Sequence, residues 1–162
     1  MVNRVSSWAI ALSKTVLAAT LAASFVLASE ASAKGSKHAA IVVDANSGKV
    51  LYSDNADAPR HPASLTKMMT LYMLFEAMAS GRISKSTAVP ISKHAASMAP
   101  TKLGAKAGTS ITVETAILAL VTKSANDAAA ASGELIGGSE ARFAQMMTAK
   151  ARSIGMRKTR FY

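Results

Sequence analysis

His61-Pro62-Ala63-Ser64-Leu65-Thr66-Lys67 opens a nearly unbroken apolar run from Met68 to Ala79, and the fold follows from how that run is buried. Leu65, Met68, Met69, Leu71, Tyr72, Met73, Leu74, Phe75 and Met78 leave no polar face, and Glu76 is the only charge after Lys67. A helix that is apolar all round belongs inside a domain rather than on its surface. Pro62 forces its predecessor out of helical geometry, so the helix is predicted to start just after it. Ser80-Gly81 is the stop signal. Ser64 and Lys67 then fall at i and i+3 on the first turn, within side-chain reach. Two readings of that pair compete. In one, Ser64 is a helix cap and Lys67 a lysine whose stem lies along apolar surface. In the other, Ser64 is a nucleophile at the positive end of a helix, and Lys67, desolvated by methionines, is its base. This is the only S-x-x-K in the chain, and it opens the most apolar helix.

Upstream, His38 to Asp44 reads as a strand, Ala45-Asn46-Ser47-Gly48 as a turn and Lys49 to Ser53 as a returning strand. Downstream, Thr87 to Ile91 is predicted to be a short edge strand, because Pro90 cannot sit in a central one. Thr109 to Ile111 is its expected partner, and His94 to Met98 is predicted to form one helical turn. Thr112 is the N-cap of a core helix, Val113 to about Val121, with Glu114 in its first turn. After the polar stretch Thr122 to Asp127, an alanine run starts another helix that stops at Gly137-Gly138. Ser139 caps a last helix, Glu140 to Ile154, with Phe143, Met146, Met147, Ala151 and Ile154 on one stripe, ended by Gly155.

At 162 residues the chain holds one domain at most. Residues 1–33 read as a secretory signal: Arg4 and Lys14 are basic, Thr15 to Ala28 is apolar, and Ala31-Ser32-Ala33 is a small-x-small cleavage site. The working part is then residues 34–162, exported to the periplasm or the outer face of the cytoplasmic membrane. There is no cysteine, hence no disulfide framework, thiolate metal site or thiol nucleophile. His38, His61 and His94 lack ligand-like spacing, and no metal or cofactor is implied. The formal charge is +10; removing Arg4, Lys14 and Glu30 with the leader leaves +9. Few aromatics and scattered basic residues argue against nucleic acid. A basic exported protein fits an anionic cell envelope, at a polymer or membrane surface.

Two S-x-N triplets are present, Ser53-Asp54-Asn55 and Ser124-Ala125-Asn126. The first is spelled as in class A β-lactamases and penicillin-binding proteins, but it precedes the S-x-x-K and closes a hairpin strand. The second follows Ser64 and lies between two predicted core helices, where a hydroxyl and an amide are held rigidly.

With those motifs in order, the sequence resembles the low-molecular-mass penicillin-binding proteins, the serine-type D-Ala-D-Ala carboxypeptidases of the cell wall. The matching text is Ile41-Val42-Val43-Asp44 with Ser47-Gly48-Lys49-Val50-Leu51-Tyr52, then Pro62 to Thr70, then Ser124 to Ala129, and a tail from Ala151 to Phe161. The resemblance implies an α/β, β-lactamase/transpeptidase-like fold, of which this chain holds the N-terminal hairpin of the sheet and the helical subdomain. It implies Ser64 as acylated nucleophile, Lys67 as base, Ser124 as proton relay and Asn126 as the residue that hydrogen-bonds the substrate's backbone amide. The implied partners are peptidoglycan stem peptides ending in D-Ala-D-Ala, with β-lactams as acylating inhibitors.

The family's third motif, a K-T-G strand, is not in these residues. Lys158-Thr159-Arg160 is a near miss with arginine in place of glycine. That strand would supply the lysine for the substrate carboxylate and the second oxyanion donor, and losing one such donor costs about 10²–10³ in rate. The expectation is a truncated chain that folds poorly alone and does not turn over. Alternatives are a serine β-lactamase, separated by its deacylation speed on penicillin, and a non-catalytic basic envelope-binding protein.

Overall fold

A computed structural model describes residues 38–162; the predicted leader lies outside them. The chain divides into two compact units, one ending at Arg60 and one spanning His61–Tyr162.

The first unit carries the hairpin. Strands β1 (Ala40–Val43) and β2 (Val50–Asp54) pair antiparallel, Val42 opposite Tyr52, with a register irregularity between Val42 and Val43. The turn is made by Asp44, whose Oδ1 accepts the Ser47 N–H at 2.8 Å while its N–H donates to the Lys49 carbonyl at 2.8 Å. Gly48, at φ 70°, takes the left-handed position that glycine occupies without steric cost.

In the second unit a 3₁₀ turn (Ala63–Thr66) leads into α1 (Lys67–Ala79), followed by β3 (Ala88–Pro90), α2 (Lys93–Ser97), β4 (Ser110–Thr112), α3 (Val113–Lys123), α4 (Asn126–Gly137) and α5 (Glu140–Ser153). β3 and β4 form a separate antiparallel pair, Val89 opposite Ile111. Ser92, Thr112 and Ser139 cap α2, α3 and α5, each accepting the N–H three residues on. Two of these caps, Thr112 and Ser139, were legible in the sequence.

α1 contributes to two cores on one side only; Met68, Tyr72 and Phe75 on its other side are exposed, so the burial expected all round is met on half of the helix. Leu74 and Ala77 are fully buried, and Leu74 joins Val89, Ile91, Val113, Leu120 and the alanines of α4. Met69 and Met73 pack instead with Phe143, Met147 and Ala151 of α5. Lys150 ties the two helices with a 2.6 Å contact to Glu76. The expected α5 stripe holds except at its end, where Ile154 lies past the last helical turn and is 48% exposed.

α4 and α5 approach so closely that only glycine fits at their crossing. A Cβ on Gly137 would lie 2.8 Å from the backbone N of Phe143 and 2.9 Å from its Cα. Backbone cannot swing aside as a side chain does, so Gly137→Ala is expected to cost about 1–3 kcal/mol. The urea midpoint reads this. An unchanged midpoint would show that the helices part freely.

Candidate active site

The turn that carries Ser64 is built differently from the α-helical start expected. Pro62 precedes it and Ala63 begins it, Ala63 at φ 49°, a left-handed conformation that L-residues seldom adopt. Ala63–Thr66 then forms the 3₁₀ turn, with Leu65 N–H donating to the Pro62 carbonyl at 3.1 Å. No side chain caps either this turn or α1, so the capping reading of Ser64 does not hold. Ser64 is exposed, and Lys67, the first residue of α1, is half-buried. Burial holds the Lys67 amine below the ordinary lysine pKa, because desolvation penalises the ammonium.

The second S-x-N triplet is a tight link between core helices. Ser124, at φ 53° and ψ 39°, ends α3 in the left-handed conformation, and the Ala125 N–H closes onto the Ala119 carbonyl. α4 starts at Asn126, two residues before the alanine run from which it was expected, so Asn126 and Asp127 occupy its first turn. Asn126 is held from two sides: its Nδ2 donates to the Ala99 carbonyl at 2.9 Å and its backbone N–H to Thr101 at 2.7 Å. The Thr101 hydroxyl donates in turn to the Ser124 carbonyl at 3.2 Å.

Lys67 and Asn126 line one cleft of about 190 Å³, with Thr66, Phe143, Met147 and Tyr162 among its walls. Ser64 and Ser124 are not lining residues; they sit three residues before Lys67 and two before Asn126. Sequence reasoning missed the wall made by α5 and the residues after it. Phe161 is docked there by the Thr148 hydroxyl, which accepts its N–H at 2.9 Å, and Tyr162 lies 3.4 Å from His61 Nδ1 through its hydroxyl. It also missed Asp127, buried beside Asn126. An acidic residue directly after the triplet, in a helix's first turn, was the available signal.

The other candidate motifs lie elsewhere. Asn55 directly follows β2 at φ 49°, bonded to its neighbour Asp54 at 2.8 Å. Lys158-Thr159-Arg160 lies in turns after α5, with Thr159 N–H on the Met156 carbonyl, and not on a strand.

The sequence profile of the D-alanyl-D-alanine carboxypeptidases, peptidase family S11, matches residues 26–162. The chain belongs to this family. D-alanyl-D-alanine carboxypeptidase DacF of Bacillus subtilis is 38% identical over 122 residues, which are 75% of this chain and 31% of that protein. Among solved structures, the carboxypeptidase DacD of Francisella tularensis superposes with a TM-score of 0.74 at 37% identity, over 76% of this chain and 30% of that one. Penicillin-binding protein D2 of Listeria monocytogenes, in its ampicillin-bound form, gives 0.63 at 31% identity, over 72% and 46%. The fold is therefore the β-lactamase/transpeptidase-like one expected from the motifs. The chain spans about a third of the length of the curated carboxypeptidases it matches.

Proposed function

We propose that this chain provides the nucleophile and one substrate wall of a serine D-Ala-D-Ala carboxypeptidase acting on peptidoglycan stem peptides. The observation that carries the reading is the shared cleft: Lys67 and Asn126, distant in sequence, line the same cavity, and Ser64 lies on the turn leading into Lys67. The Ser64 hydroxyl oxygen attacks the carbonyl carbon of the penultimate D-alanine while neutral Lys67 takes its proton. Ser124 relays that proton to the departing nitrogen, the C–N bond breaks, and terminal D-alanine leaves as the free amine. Water then cleaves the Ser64 ester, adding its hydroxyl to the acyl carbon and returning a proton to Ser64. Asn126 holds the substrate's backbone amide throughout. β-Lactams acylate the same oxygen by opening their ring. Work on this substrate places the protein in the periplasm or on the outer face of the cytoplasmic membrane, with residues 1–33 as leader. The 162 residues contain no K-T-G, so by themselves they are expected to release no D-alanine.

A fluorescent penicillin tests the assignment in a fusion that continues past Tyr162 with the remaining sequence of a relative. Peptide mapping should find the label on Ser64, at a rate rising with pH through a pKa below that of ordinary lysine. Label on another residue, or undiminished labelling of Ser64→Ala, would sink the proposal.

A further inference from the structure

The proposed mechanism uses Ser64, Lys67, Ser124 and Asn126 and leaves aside Asp127, the one charged side chain that is buried among the described residues. Its exposure is 1%. One carboxylate oxygen accepts the N–H of Leu103 at 2.8 Å and of Ala128 at 2.9 Å; the other accepts those of Gly104 at 2.8 Å and Ala105 at 3.3 Å. Burial by itself would raise this pKa. The N–H groups of Leu103, Gly104, Ala128 and Ala105 outweigh it and hold the group below the usual carboxylate range, so it is ionised.

Three of those donors belong to the irregular segment between α2 and β4. The same segment meets the cleft a few residues earlier. Met98 lines the cleft, the Ala99 carbonyl takes the Asn126 side-chain amide, and Thr101 takes the Asn126 N–H and reaches the Ser124 carbonyl. Consecutive residues of one helical turn thus grip both ends of the segment, Asn126 at 99–101 and Asp127 at 103–105. An acidic residue in a first turn also stabilises its own helix by charge alone. That role needs no loop contacts, so it predicts no loss of order at Asn126 when the loop contacts weaken.

We propose that Asp127 is a positioning residue: by gathering the N–H groups of residues 103–105 it clamps segment 98–105 against the Ser124–Asn126 turn and fixes the direction in which the Asn126 amide faces the cleft. The inference rests on the assignment of Asn126 to substrate binding, and its test needs no substrate.

The asparagines are Asn3, Asn46, Asn55 and Asn126, so labelling them with ¹⁵N isolates the Asn126 backbone and side-chain signals in the 162-residue chain at low concentration. Asp127→Asn keeps the shape but turns an N–H₂ toward donors. Its Asn126 backbone amide should exchange about tenfold faster or more. The Asn126 side-chain pair should also move to the position of an unrestrained asparagine, with helical circular dichroism retained. Wild-type signals at Asn126 in a folded Asp127→Asn would overturn the clamp. If that variant unfolds, Asp127→Glu, which keeps the charge, is read in its place with mass-spectrometric exchange of residues 103–105. Loosening of 103–105 together with Asn126 supports the clamp, and either one moving without the other overturns it. Absence of label on Ser64 in the fusion would defeat the acyl-enzyme reading alone, since the exchange signals do not depend on acylation.

Discussion

Asn126→Ala is expected to slow acylation of Ser64 by about 10²–10³, the range found when one positioned hydrogen-bonding group is removed from a catalytic site. Asn55→Ala should leave the rate within about twofold, since it alters a surface turn, where substitutions are nearly neutral. The two asparagines close triplets of the same S-x-N form. Only Asn126 lines the cleft with Lys67, and it is oriented there by the Ala99 and Thr101 carbonyls. Asn55 bonds its neighbour Asp54 in the hairpin unit and is not among the residues that line the cleft. Penicillin acylation rates of both variants in the fusion, with unfolding midpoints alongside, decide the matter. Equal rate losses at unchanged stability would refute the distinction.

The 162-residue chain alone should bind hydrophobic dyes and self-associate with rising concentration. Opposite the buried stripe of α1 runs a second one that begins on the turn before it: Leu65 of that turn and Met68 are each 65% exposed and Phe75 51%, with Tyr72 between them. Leu118 and Val121 of α3 are likewise open. In the hairpin, Ile41, Val42, Val43, Val50, Leu51 and Tyr52 are all exposed, so apolar groups stand on both faces of a two-stranded sheet. Each large side chain left in water forgoes roughly 1.5–3 kcal/mol, against a typical net stability of about 5–15 kcal/mol. Sedimentation velocity with and without Met68→Glu, Phe75→Lys and Val121→Lys is the measurement. The triple variant should sediment more nearly as a monomer. A wild-type chain that stays monomeric and binds no dye at every concentration would contradict the expectation.

Much of this was legible in the residues. The hairpin, the β3–β4 pair, the caps Thr112 and Ser139 and the long helix all follow from turn chemistry and apolar runs, which act over a few neighbours. Ser64, Lys67 and the second S-x-N triplet stood out because the spacing within each motif is local and because the triplet follows the S-x-x-K in the chain. What escaped depends on contacts across long separations. Asp127 reaches back to Leu103 and Gly104, and the cleft's far wall comes from Phe143, Met147 and Tyr162. Periodicity places each of those residues on a helix or in a loop, but not against the others. The early start of α4 escaped for a related reason. Asn126 and Asp127 read as loop residues by propensity, and the segment that satisfies them lies more than twenty residues upstream.

The 3₁₀ form of the nucleophile turn gives the S-x-x-K spacing a geometric meaning. In an α-helix, residues three apart are offset by about 60° around the axis, since each advances about 100°. In a 3₁₀ turn, with three residues per revolution, they eclipse. The turn runs over Ala63–Thr66, and the Lys67 N–H that closes it donates to the Ser64 carbonyl. Hydroxyl and amine are therefore launched from nearly the same azimuth, one above the other, before α1 takes up its ordinary pitch. An alanine inserted between Ser64 and Lys67 would swing the two apart by about a third of a revolution. The motif is thus a phase relation as much as a pair of residue types, and the winding of this single turn sets the phase.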